Sequence, residues 1–169
     1  MPNIANINTL IERIRADQGR HLTMGGFVSY IDENSRPEPD IQPTKMLDCK
    51  TAFCICGYAN LLRMEQEGTD YRSVVGVEST LANDFAKNDF LAQFGSQQKA
   101  GDWLEIDSIT AHYLFYMNDS DQRSWFDNEA EPQKRADAAI AVLEHLRDTG
   151  HVDWNSALMK TVDSDGPRL

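Results

Sequence analysis

The sequence predicts a mainly α-helical fold of about five helices, forming one domain over residues 1–169. Three observations predict it. Apolar residues recur at three- and four-residue spacing in several segments, helix start and stop signals bracket those segments, and a hydrophobic fraction of 41% supplies enough side chains for a core. A short extended piece is expected near residues 26–31.

The first helix is read at 4–15, where Ile4, Ile7, Leu10, Ile11 and Ile14 fall on one stripe and Glu12, Arg13 and Arg15 fall off it. Asn3 or Asn6 caps its start, and Gly19 follows its end. Gly25-Gly26 then breaks any helix, while Phe27, Val28, Tyr30 and Ile31 favour the extended piece. Residues 32–44 hold three prolines among polar groups and read as a mobile, exposed loop. A second helix is expected from Cys49 to Glu65, capped by Asp48. Phe53, Ile55, Cys56, Ala59 and Leu62 are its core positions, because apolar residues surround it on nearly every side. A third is expected at 78–94 through Val77, Leu81 and Phe85. Asp107 caps a fourth, which carries Ile109, Tyr113 and Tyr116 on one face and buries Ile109 and Leu114. The fifth runs from Glu131 to Thr149, with Pro132 at its first turn, a stripe of Ala136, Ala139, Ile140, Leu143 and Leu146, and Gly150 as its stop. Trp154 folds back onto the core, and the tail at 160–169 frays.

Composition limits the function classes. The net charge of −11 and the lack of any Lys/Arg cluster argue against direct nucleic-acid binding. No apolar run approaches a membrane span, and the first residues lack the basic and apolar regions of a secretory signal. Three cysteines, Cys49, Cys54 and Cys56, lie within eight residues, which is no secreted disulfide framework, so a cytoplasmic setting is expected.

The thiol cluster is the first place to look for chemistry. Zinc sites need a second pair of Cys or His ligands, and the four histidines show no matching spacing, so no metal and no cofactor is expected. Buried structural thiols are the expectation. Cys49 is the candidate for reactivity, since the predicted helix N-terminus and Lys50 both favour a thiolate. Asp107 reads as a cap rather than as an acid–base partner of Glu105 and His112. No phosphate loop, nucleophile elbow or zinc-protease motif is present.

The stretch C-K-T-A-F-C-I-C-G-Y-A, Cys49 to Ala59, resembles a C-G-T-x-x-C-(I/L)-(A/G)-G-(W/H)-A helix motif of small uncharacterised proteins of bacteria and their phages. Residues 104–115 are similar to that group's L-G-L-S-x-x-Q-A-x-x-L-F segment, and T-G-H-V-D-W, ending at Trp154, to its T-G-x-x-D-W. The sequence departs from the pattern at Lys50, where the group has Gly, and at Cys56, where it has a small residue without a thiol. The resemblance implies a helical fold and a bacterial or phage origin. It carries no activity.

Charge is concentrated. Between Asp102 and Glu131 eight acids face Arg123 alone, a net −7 of the chain's −11. Tyr113, Phe115, Tyr116, Trp125 and Phe126 are interleaved with these acids. That pattern predicts a non-enzymatic protein that docks on a basic surface of a protein partner, an inhibitor imitating nucleic acid being one version. Asp119, Asp121, Trp125, Asp127 and Glu129 are the candidate partner-binding residues. The alternatives are a redox or transferase enzyme using Cys49 or Cys54, and an oligomeric structural or assembly component.

Overall fold

The computed structural model describes residues 1–22, 28–30, 51–68, 97–116, 126 and 131–163. Six helices and one two-stranded ribbon lie within them, so the fold is mainly α. The expected loop at 32–44 and helix at 78–94 fall outside the described residues.

Helix α1 (Ile4–Asp17) starts as its sequence dictates: the Asn3 side chain accepts the Asn6 amide at 3.1 Å. Ile7, Leu10, Ile11 and Ile14 are buried, while Ile4, at the first turn, projects into solvent. Gln18 and Gly19 end the helix in left-handed conformations, at φ 54° and 69°.

The extended piece is strand β1 (Val28–Tyr30), paired antiparallel with β2 (Thr51–Phe53) in the register Val28↔Phe53, Ser29↔Ala52, Tyr30↔Thr51. This pairing corrects the predicted start of the next helix. Thr51 and Phe53 suit a strand, and the partner strand takes their backbone groups, so α2 spans Ile55–Gln66 instead of starting at Cys49. The expected burial of α2 holds: Ile55, Cys56, Ala59 and Leu62 are buried, together with Tyr58, Asn60, Leu61 and Met64. The Phe53 side chain lies outside the described residues, as does the expected cap Asp48.

Helix α3 (Gln97–Leu104) is absent from the sequence reading. Its composition is polar, and it buries only Ala100, Gly101 and Leu104. Contacts from distant segments hold it. Asn3 N–H donates to the Leu104 carbonyl (2.7 Å), Asn6 Nδ2 to the Trp103 carbonyl (2.6 Å), and Trp103 Nε1 to Gln66 Oε1 (2.8 Å). The start of α1 thereby satisfies carbonyls at the end of α3 that would otherwise be orphaned.

Asp107 caps α4 (Ser108–Phe115) as predicted, accepting the Ile109 and Thr110 amides at 2.9 Å each. Helix α5 (Pro132–Thr149) also follows its signals, with Pro132 at the first turn and Gly150 closing it at φ 77°. The predicted α5 stripe is buried, and Ala138 and Val142 widen it because α5 packs against both α1 and α6. Helix α6 (Trp154–Asp163) reaches into the first residues of the tail expected to fray at 160–169, of which 164–169 lie outside the described residues. Asp153 caps it through the Ser156 amide (3.0 Å), and residues 160–163 remain helical with Thr161 buried. Trp154 is buried as expected. Its ring meets Phe126 edge-on at 6.1 Å, and its Nε1 donates to the Tyr113 carbonyl at 3.0 Å.

Candidate functional site

Helix α4 and its C-cap carry three of the exposed large hydrophobic side chains among the described residues. The buried residues of α4 are Ala111, Leu114 and Phe115. Gly101 of α3 explains that choice: a Cβ on Gly101 would meet Ala111 Cβ at 3.2 Å, so only a small residue of α4 fits against α3 there. Ile109, Tyr113 and Tyr116 occupy the opposite side, at i, i+4 and i+7. They are 68%, 52% and 41% exposed. The expectation that Ile109 is buried is therefore wrong: the helix docks through the face carrying Ala111. The grouping of Ile109, Tyr113 and Tyr116 on one face is right. Of the aromatics interleaved with the acids, Phe115 and Phe126 are core residues, Phe126 being packed on Trp154, and Tyr113 and Tyr116 are exposed.

His112 is exposed beside this face and stacks on Tyr116, with ring centroids 5.2 Å apart and planes at 28°. Asp102, Glu105 and Asp107 are exposed on α3 and the turn into α4. Glu105 Oε1 accepts from Asn3 Nδ2 (2.9 Å). The Thr110 amide and hydroxyl and the Ile109 amide hold the Asp107 carboxyl below its usual pKa. These contacts bind Glu105 and Asp107 into caps and turns, and no acid–base set with His112 results. Asp119, Asp121, Trp125, Asp127 and Glu129 lie outside the described residues, and so does Cys49.

The late start of α2 puts Cys54, not Cys49, at the helix N-terminus. Cys54 is the N-cap residue and Cys56 sits in the first turn, both as buried thiols that form no disulfide. Cys54 makes no side-chain capping hydrogen bond of the kind Ser or Asp makes. Burial pushes its thiol pKa up, but the Cys56 thiol and the Gly57 and Cys56 amides outweigh burial, and Cys54 ends below the usual thiol value. Contact with Cys54, then burial, pushes the Cys56 thiol up, while Asn60 Nδ2 donates to its sulfur at 3.6 Å. Among the described residues no group of three or more His, Cys, Asp or Glu is placed to hold a metal ion.

A second polar cluster went unread in the sequence. Asp17, at the last turn of α1, is buried. Its Oδ2 accepts the Tyr58 hydroxyl (2.7 Å) and the His21 amide (2.9 Å), and its Oδ1 lies 2.5 Å from His21 Nδ1. Burial pushes the Asp17 carboxyl up, yet the His21 ring and amide and the Tyr58 hydroxyl bring it below the ordinary value. Burial, then the Asp17 charge, drives the Tyr58 phenol up. The three residues tie α1, the turn after it and α2 together. One signal was available: a carboxylate in the last turn of a helix opposes the helix dipole and so needs donors from elsewhere.

Among the described residues no helix is long and apolar enough to cross a membrane. Comparison of the chain with protein-family models, with curated proteins and with solved structures finds no match.

Proposed function

We propose that this chain is a non-enzymatic interaction protein that docks the outer face of α4 on a basic surface of a partner protein. One observation carries the reading: Ile109, Tyr113 and Tyr116 form a contiguous apolar and aromatic face turned to solvent, within the segment that holds most of the chain's negative charge. Tyrosine suits such a role because it buries a large ring while its hydroxyl stays hydrated, and aromatic residues dominate binding energy at interfaces. Surrounding acids speed encounter with a basic partner and reject acidic ones.

The test compares captures from a bacterial lysate on the immobilised full chain and on two variants. One is Ile109→Ser/Tyr113→Ala/Tyr116→Ala. The other is Asp119→Lys/Asp121→Lys/Asp127→Lys, which reverses charge without touching α4. The reading expects a basic protein that binds the wild type, elutes with salt, and loses about 30-fold or more in affinity to the first variant, the effect of about 2 kcal/mol at a buried aromatic contact. The second variant should slow its association and weaken the salt dependence. Binding indifferent to both variants would overturn the proposal. Self-association lost in the first variant, read by sedimentation at several concentrations, would favour the assembly component instead.

A further inference from the structure

We propose that Cys54 and Cys56 form a peroxide-oxidisable dithiol that closes into an intrachain disulfide across the first turn of α2. The site is independent of the α4 face.

Its geometry comes from the late helix start. Cys54 is the N-cap and Cys56 the second residue of α2, with only Ile55 between them. Their Cα atoms are at most about 7 Å apart in any trans chain, and the helical conformation of Ile55 draws them closer, into the span that a disulfide bridges. A helix starting at Cys49 would instead have placed both cysteines in its interior, where residues two apart point to different sides of the helix axis. At a helix start the N-cap residue is extended, with φ −82° and ψ 175° for Cys54, the backbone conformation from which an N-cap side chain can reach back over the first turn.

The surroundings suit a pair in which peroxide oxidises one thiol and the other resolves it. The amides of Cys56 and Gly57 favour negative charge on Cys54. Asn60, itself fully buried, directs its amide at the Cys56 sulfur. In an apolar core such a side chain needs partners: its oxygen accepts from Arg63 Nε at 3.4 Å, and its nitrogen donates to the Cys56 thiol. Both sulfurs are shielded, so the oxidant class is a small one. Hydrogen peroxide enters where a glutathione-sized disulfide does not.

The step balances as follows. The Cys54 thiolate attacks one peroxide oxygen, the O–O bond breaks, and the departing hydroxide leaves as water after taking a proton. Cys54 becomes a sulfenic acid, oxidised by two electrons, and the peroxide is reduced. The Cys56 sulfur then attacks Cys54 Sγ, the S–O bond breaks, and the hydroxyl departs with the Cys56 proton as a second water. In sum, two thiols and one peroxide give one disulfide and two waters.

The sequence makes the readout simple. Trypsin cleaves after Lys50 and Arg63, so one peptide holds Cys54 and Cys56 and a different one holds Cys49. The folded full-length protein is treated with dilute hydrogen peroxide, free thiols are blocked, and the digest is read by mass spectrometry. The peptide at 51–63 should lose the mass of two hydrogen atoms and regain it with dithiothreitol. Cys56→Ser should leave a sulfenic acid on Cys54, read as one added oxygen in the peptide mass, at least about tenfold faster than any oxidation of Cys56 in Cys54→Ser. Circular dichroism checks that both variants keep their helices, and the wild-type experiment stands without them. Three results would each overturn the proposal: a peptide that stays reduced while the urea-unfolded chain oxidises, a disulfide joining Cys49 to either residue, or oxidation no faster than global unfolding.

Discussion

Two glycines with nearly the same backbone conformation should respond very differently to alanine. Gly19 follows α1 with φ 69°, and Gly150 closes α5 with φ 77°. At both, an L side chain meets left-handed strain of roughly 1–2 kcal/mol, partly offset by the lower entropy of the unfolded alanine chain, about 0.4–1 kcal/mol. The difference lies in what surrounds the new Cβ. At Gly150 nothing lies within 4 Å, so the net loss for Gly150→Ala should be about 1 kcal/mol. At Gly19 the Cβ would sit 2.0 Å from the Pro132 carbonyl oxygen, 2.9 Å from its carbon and 3.1 Å from Ala136 Cβ. Two of these atoms are backbone, and no rotamer change relieves them. The first turn of α5 has to move off α1, an overpacking loss of about 1–3 kcal/mol on top of the strain. Gly19→Ala should therefore cost about 2–4 kcal/mol, at least twice the loss at Gly150. Equilibrium urea unfolding followed by circular dichroism reads both. With a slope of about 1–3 kcal/mol per molar, the Gly19 variant should unfold near 1 M lower in urea or more. Equal midpoints for the two variants would refute the close approach of α1 and α5 at Pro132.

Two further outcomes follow from buried groups of α2 and its neighbours. Asp17 ionises below the ordinary carboxyl value in the folded protein, so its contribution is present above the unfolded pKa of about 3.9 and is lost as pH falls through the folded pKa. Asp17→Asn should lose about 1–3 kcal/mol at pH 7, and the gap to wild type in urea midpoint should narrow as the pH falls below about 3.9; a gap constant with pH would contradict the network. Ala59 is fully buried in α2, so Ala59→Leu should destabilise by about 1–3 kcal/mol through overpacking, and an unchanged urea midpoint would mean that α2 has room the structure does not show.

The sequence was informative where the determinants of an element lie inside it. Helix α5 carries its own start in Pro132, its own stop in Gly150 and an apolar stripe between them, so its bounds and buried face were legible. Asp107 was legible as a cap because it bonds to amides two and three residues on, and Asn3 was one of two residues that could cap α1. Helix α3 was invisible because its support comes from Asn3, Asn6 and Gln66, distant in sequence, and not from its own polar residues. The start of α2 was misread for a related reason. Thr51-Ala52-Phe53 continues the apolar pattern of the helix, and only pairing with Val28–Tyr30 turns those residues into a strand. That shift moved the helix N-terminus from Cys49 to Cys54. The cluster around Asp17 joins residues 41 apart in sequence through a single hydroxyl. No local pattern announces such a contact.

The outward face of α4 is a different case, because periodicity specifies which residues share a side and leaves open which side turns inward. Ile109 is more hydrophobic than Ala111, and by transfer free energy alone the helix would bury Ile109. Packing against α3 decides otherwise. Gly101 has no side chain, its neighbour across the interface is Ala111, and the two helices approach too closely there for a branched residue. Leu114 and Phe115 then enter the core on the same side, and Trp154 anchors the far end by donating to the Tyr113 carbonyl. Burying Ile109 instead would turn Leu114 and Phe115 outward, a larger loss of apolar contact than the one recovered. The exposed Ile109–Tyr113–Tyr116 face is thus a consequence of how tightly α3 and α4 meet. An isoleucine held in solvent by the packing beneath it, next to two tyrosines, is the kind of surface whose burial a partner can supply.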